Sequence, residues 1–78
     1  MDELASVIDT VEFRQQLKGY NVDEVDRFLE DLAKRIRKGV PVSPAELDSR
    51  TFRKQLKGYS TTDVDAFIAD LSKRLSLQ

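Results

Sequence analysis

The sequence predicts an all-α fold, a small bundle of two helix–turn–helix units with short heptad-paired helices. Three observations point there. Residues 13–39 and 52–78 align with 14 identities in 27 positions, a duplication with an offset of 39 residues. Apolar residues recur at helical spacing in corresponding places of both copies. Capping residues, glycines and prolines punctuate the chain where those patterns begin and end. No strand pattern competes.

The first helix is predicted over roughly 3–17. Leu4, Val7, Ile8 and Val11 share one face, yet Phe13 and Leu17 lie about 180° away from it at 100° per residue. Either the helix breaks near Val11, or Phe13 and Leu17 serve a second surface. The third helix, predicted over 44–57, poses the same alternative, with Leu47 facing away from Phe52 and Leu56 and a break near Arg50. Its start is well marked by Ser43 as N-cap, Pro44 at the first position and Glu46 closing a capping box. Gly19 and Gly58 stand where left-handed caps would end these helices, each followed by a tyrosine, Tyr20 or Tyr59, that completes the turn.

Asn21 and Ser60 can cap the next helices, with Glu24 and Asp63 at the third helical position. Over 22–38, Val22, Val25, Leu29, Leu32 and Ile36 are spaced 3, 4, 3, 4, and Thr61, Val64, Ile68, Leu71 and Leu75 repeat that spacing over 61–76. This is an a/d seam flanked by Phe28 and Phe67. Two heptads are too few for an independent coiled coil and enough for a bundle core. Gly39 ends the second helix, and Pro41 and Pro44 forbid a continuous helix beyond it. The organisation is therefore unit 1 (1–39), a linker (40–43) and unit 2 (44–78), in one compact domain. Short connections make the helices run up, down, up, down, so the two heptad helices are parallel. One chain could zip its own seams as a pseudo-dimer, or two chains could pair as a homodimer.

Composition narrows the function. With 78 residues, 40% of them hydrophobic and 35% charged, the chain is a helix-rich globular sequence, not a disordered one. A net charge of −1 argues against a general nucleic-acid binder, leaving Arg50, Arg53, Lys54 and Lys57 as a thin third candidate. Cysteine and histidine are both absent, which removes disulfides, the usual ligands of zinc, copper and iron, and the commonest acid–base side chain. The start, "MDELASVIDT", is acidic, unlike a signal peptide, and no apolar run approaches the roughly 20 residues that span a bilayer. The expected setting is cytoplasmic. Asp23, Glu24, Asp26, Glu30 and Asp31 fall mostly in the first half of a helix, and Lys34, Arg35, Arg37, Lys38, Lys73 and Arg74 near helix C-termini, as the helix dipole favours. No phosphate loop, nucleophile–base arrangement or metal spacing occurs. The chain is expected not to be an enzyme and to use no cofactor, metal or small-molecule substrate.

Three recurring features remain. Asp26 and Asp65, beside Val25 and Val64, suit a turn or inter-helix polar contact. Tyr20 and Tyr59 are expected to pack on Phe28 and Phe67 with the hydroxyl at the edge. Leu17-Lys18 and Leu56-Lys57 allow two readings: core leucines with lysines extending over them, or leucines entering a membrane interface while lysines meet anionic headgroups. Two such pairs facing one way would gain avidity.

The pattern F-x-x-x-L-K-G-Y-x-x-x-x-V-D-x-F-[LI], preceded in unit 2 by "VSPAEL", resembles the N-terminal domain of the DivIVA family of bacterial cell-division and polar-growth proteins. The resemblance covers 42–75 and, less completely, 8–36. It implies a short helix leading through a crossed loop into a parallel coiled coil, the loop tip offering an aromatic residue and an arginine to the membrane. By position that tip falls on Leu17-Lys18 and Leu56-Lys57, where this chain has leucine and lysine. The family's long coiled coil is missing, since the sequence stops at Gln78, so filament building is not implied. The expected function is a non-enzymatic interaction module related to cell-division proteins. It would pair with itself or related proteins through Val25, Leu29, Leu32, Ile36, Val64, Ile68, Leu71 and Leu75, and bind weakly at the inner face of the plasma membrane. A small structural or regulatory bundle without membrane binding is the alternative.

Overall fold

A computed structural model of the chain describes residues 2–77, in which four helices and two strands alternate: α1 (Asp2–Thr10), β1 (Gln15–Tyr20), α2 (Val22–Arg37), α3 (Pro44–Asp48), β2 (Lys54–Tyr59) and α4 (Thr61–Ser76). The fold is thus mixed α and β, and the all-α expectation is corrected. The long helices α2 and α4 lie within a residue of their predicted bounds. The helices predicted over 3–17 and 44–57 stop at Thr10 and Asp48, and the chain beyond each is extended. The displaced apolar phase of Phe13, Leu17, Phe52 and Leu56 marked these breaks.

The physical reason is a competition that local sequence does not reveal. "QQLKGY" and "KQLKGY" begin with residues that no glycine or proline bars from a helix, since Gly19 and Gly58 lie beyond the predicted ends at 17 and 57. Each finds its partner strand in the other unit. Gln15 faces Tyr59, Gln16 faces Gly58, Leu17 faces Lys57, Gly19 faces Gln55 and Tyr20 faces Lys54, so one strand rises in number as the other falls: the ladder is antiparallel. This register and the 39-residue offset together place a pseudo-twofold axis at the middle of the two strands.

Helix ends behave largely as read. Asn21 Oδ1 accepts from the Glu24 N–H at 3.0 Å, and Ser60 Oγ from the Asp63 N–H at 3.3 Å. Ser43 Oγ accepts from the Ala45 N–H, while the Ser43 N–H donates to Glu46 at 2.9 Å. At the end of α2, Gly39 adopts φ +74°, and the Gly39 and Val40 N–H groups donate back to Ile36 and Arg35, a Schellman cap. Gly19 and Gly58 are different: neither has a positive φ, so they are not left-handed caps.

Helix α1 packs along α2, α3 along α4, and the two strands make the most extensive contact between the halves. The buried side chains join into one cluster: Leu4, Ala5 and Ile8 of α1, Val25, Leu29, Leu32, Ala33 and Ile36 of α2, Leu47 of α3, and Val64, Ile68 and Leu71 of α4. Seven of the eight residues predicted to pair α2 with α4 are buried and Leu75 is half-buried, but the extensive helix packing is α1 on α2 and α3 on α4, so the expected heptad pairing of α2 with α4 is corrected. No helix among the described residues is long and apolar enough to cross a membrane.

Candidate functional site

The crossing of β1 and β2 is the main junction between the two units. Gly19 and Gly58 meet backbone to backbone. A Cβ on Gly19 would lie 2.5 Å from the Gly58 carbonyl carbon and 2.8 Å from its oxygen, and nearer still to the Tyr59 oxygen; a Cβ on Gly58 would meet Gly19 and Tyr20 in the same way. These glycines are required by close approach, not by φ.

Around the crossing, each unit grips the other with paired contacts. The Asn21 N–H donates to the Arg53 carbonyl at 2.8 Å, and the Ser60 N–H to the Arg14 carbonyl at 2.7 Å. Arg14 donates to Asp63 through its backbone N–H (3.2 Å), Nε (3.0 Å) and Nη2 (2.7 Å). In the mirror position the Arg53 N–H donates to Glu24 at 3.0 Å, with the guanidinium at 3.7 Å. Hydrogen bonds from the Arg14 side chain, then from its backbone, pull the Asp63 carboxyl down to about 2. Asp63 and Glu24 therefore do more than complement a helix dipole. They clasp the opposite unit.

The tyrosines are exchanged too. Tyr20 packs on Phe52 (centroids 5.4 Å apart) and Tyr59 on Phe13 (5.2 Å), not on the predicted Phe28 and Phe67, which lie one ring further along the same stacks. The Tyr20 hydroxyl donates to Asp65 and the Tyr59 hydroxyl to Asp26, both at 2.7 Å. The hydrogen bond to Asp65 pushes Tyr20 up to about 12, and burial, followed by the bond to Asp26, does the same for Tyr59. Asp26 and Asp65 thus anchor the opposite unit's tyrosine.

Past the crossing the strands present the two Leu-Lys pairs. Leu17 is 70% exposed and Leu56 73%, so neither is a core residue. Leu17 sits opposite Lys57 in the ladder. Segments 13–22 and 50–62 contain six cations and no carboxylate. Arg14 and Arg53 are held by the clasps, and the Lys54 ammonium lies over the Tyr20 ring at 5.1 Å. Lys18 and Lys57 are the cations beside the exposed leucines. Lys18 adopts φ +58°, a left-handed conformation that Lys57 does not share.

Two grooves flank the crossing, related by the duplication. The first, about 510 Å³, lies between α1, α2 and the opposite unit's Tyr59; its polar lining is Asp9, Glu12, Asp26 and Glu30. The second, about 160 Å³, is lined at the equivalent places by Asp48, Thr51's neighbours Arg50 and Phe52, Asp65 and Ala69. Where unit 1 has Val11, unit 2 has Arg50, whose guanidinium carbon lies 4.9 Å from the Phe52 centroid and 5.5 Å from that of Phe28. Repeat comparison held the signal for both features: the clasp residues keep their charge in both copies, and Val11/Arg50 is a change of character within a matched segment.

The structure brings the predicted tip residues Leu17, Lys18, Leu56 and Lys57 together in the β1–β2 pairing, and the turn residues Gly19, Tyr20, Gly58 and Tyr59 to the crossing. Comparison with protein-family models, with curated proteins and with solved structures gives no match.

Proposed function

We propose that this chain is a non-enzymatic interaction module whose crossed-strand tip meets an anionic lipid surface, as its resemblance to DivIVA-type domains implies. The carrying observation is the pair of leucines, 70% and 73% exposed, each followed by a lysine on a tightly interlocked scaffold. The crossing of the two strands at the predicted loop supports the same reading. Burying two leucines contributes about 3–6 kcal/mol, and each lysine near an anionic surface about 1 kcal/mol. Before the cost of association, that sum of about 5–8 kcal/mol corresponds to dissociation constants between roughly millimolar and micromolar. Binding is therefore weak and peripheral.

Sedimentation with phosphatidylglycerol-rich vesicles tests this. The wild type is expected in the pellet, and Leu17→Ala/Leu56→Ala in the supernatant. A wild type that stays in the supernatant ends the membrane reading.

The larger groove favours a second, compatible reading, docking of a basic segment of a partner protein. Its cavity of about 510 Å³ joins apolar Ile8, Val11, Phe13 and Leu29 to four carboxylates, with no Lys or Arg in its lining. Such a surface complements a side chain with an apolar stem and a cationic head.

A further inference from the structure

We infer that Arg50 is a built-in occupant of the second groove, so that duplication leaves one docking groove open and one closed by the chain itself. The inference rests on the docking reading of the first groove and goes beyond it, by assigning the second groove's ligand and the number of partners the chain can hold.

The two halves share their aromatic platform. Phe28 and Phe52 meet edge-on with centroids 5.7 Å apart, and their equivalents Phe67 and Phe13 also meet at 5.7 Å. In unit 2 a guanidinium lies over that platform; in unit 1 the equivalent position is Val11, which carries no charge. The cavity differs accordingly, about 160 Å³ with Arg50 in its wall against about 510 Å³ with Val11.

Charge differs in the same sense. The closed groove has Asp48 and Asp65 against Arg50, two negative charges and one positive. The open groove has Asp9, Glu12, Asp26 and Glu30, four negative charges and no cation in its lining. Glu12 and Glu30 stand where unit 2 has Thr51 and Ala69. Asp9 is engaged by Arg37 and Asp26 accepts the Tyr59 hydroxyl, which leaves the two added glutamates on the rim. The half with no arginine over its aromatic platform thus carries two carboxylates, Glu12 and Glu30, that its twin lacks, and they favour a cationic guest. The intramolecular example in the other half identifies the group that fits: a guanidinium on an apolar stem, here supplied by an arginine of another polypeptide.

Amide NMR of the full chain, titrated with a capped Gly-Arg-Gly peptide against capped Gly-Gly-Gly, tests the assignment. Wild type should show Gly-Arg-Gly shifts at one site, around residues 8–13, 26–30 and 59. Val11→Arg, which plugs the open groove as Arg50 plugs its twin, should lose them. Arg50→Val/Thr51→Glu/Ala69→Glu should gain a second set around residues 47–52 and 65–69, raising the stoichiometry from one to two. Independently of any peptide, the Arg50 δ-methylene protons should be ring-shifted relative to those of Arg53. Unshifted Arg50 protons, or a triple variant that still binds one peptide, overturn the inference and leave the open groove standing. Absence of wild-type binding overturns the docking reading and the single-partner stoichiometry with it, while the Arg50 shifts decide the occupancy of the closed groove.

Discussion

Replacing Gly19 by alanine should destabilise the whole chain through one methyl group at the strand crossing. The new Cβ would stand 2.5 Å from the Gly58 carbonyl carbon and 2.8 Å from its oxygen, both backbone atoms with no rotamer to relax into. Relief requires the strands to separate, which pulls on the Asn21–Arg53 and Ser60–Arg14 backbone bonds on either side. Overpacking of this kind costs about 1–3 kcal/mol and occasionally more. A domain of this size has about 4–12 kcal/mol in hand, so the variant should fold but melt lower. At about 4–8 °C per kcal/mol, the expected loss is about 4–24 °C in Tm. Thermal unfolding followed by circular dichroism reads it directly. Gly58→Ala should lose a similar amount, and the double variant less than the sum, because both methyls force open the same crossing. Gly39→Ala is the control: its φ of +74° makes alanine strained, but nothing lies within 4 Å, so its cost is the conformational one alone, about 1–2 kcal/mol. A Gly19→Ala variant melting within about 2 °C of wild type would show that the strands do not cross this closely.

Asp63 gives an acid-side prediction. Its folded pKa is depressed from 3.8 to about 2, so its contribution to stability is present above pH 4 and lost as pH falls towards 2. Asp63→Asn should melt lower than wild type at neutral pH and lose less stability between pH 4 and pH 2. Parallel curves for the two proteins would remove the clasp from the energetics. The tyrosines give the alkaline counterpart: both hydroxyls are raised from 10.0 to about 12, so their contribution is complete below pH 10 and lost as pH rises through 12. Ultraviolet titration of tyrosinate in the folded protein should be displaced upward from that of free tyrosine, and coincidence of the two would disprove the Tyr20–Asp65 and Tyr59–Asp26 bonds. Finally, because each unit's strand is already paired within the chain, light scattering should give 8.9 kDa at all concentrations, and a doubled mass would show pairing between chains.

What could be read from the sequence was what local chemistry decides. Helices α2 and α4 carry their own caps at Asn21 and Ser60, their acids early and their bases late, and an apolar stripe that needs only one face covered. Strands β1 and β2 carry no such internal signature. Each is short, with both its leucine and its lysine exposed, and its hydrogen-bonding partner lies about forty residues away. The conflict between the Leu4–Val11 stripe and the phase of Phe13 and Leu17 said that something broke there, but not what the freed segment would pair with. Gly19 and Gly58 were legible as necessary and misread in cause, since a glycine needed for φ and one needed for close approach look identical in sequence. The grooves are tertiary features, each lined by residues of separate segments, so no single stretch of sequence marks them.

Duplication within one chain has a consequence that pairing of two identical chains would not. The clasps, the exchanged tyrosines and the crossing are all contacts between units, so a single unit would need a second chain to complete them. Joining the units through a short linker supplies that partner at the millimolar or higher effective concentration of a tether. It also frees each half to change alone. In a pair of identical chains, an arginine in place of Val11 would close both grooves, and a glutamate in place of Ala69 would acidify both. Here Arg50 closes one groove while Glu12 and Glu30 acidify the other, yet the tip leucines and crossing glycines stay the same in both copies. The matched positions include those where the two halves touch each other, while Val11/Arg50, Glu12/Thr51 and Glu30/Ala69 are mismatches at the open groove's wall and its equivalent. That division fits a module whose scaffold and tip work as a symmetric pair and whose grooves work singly.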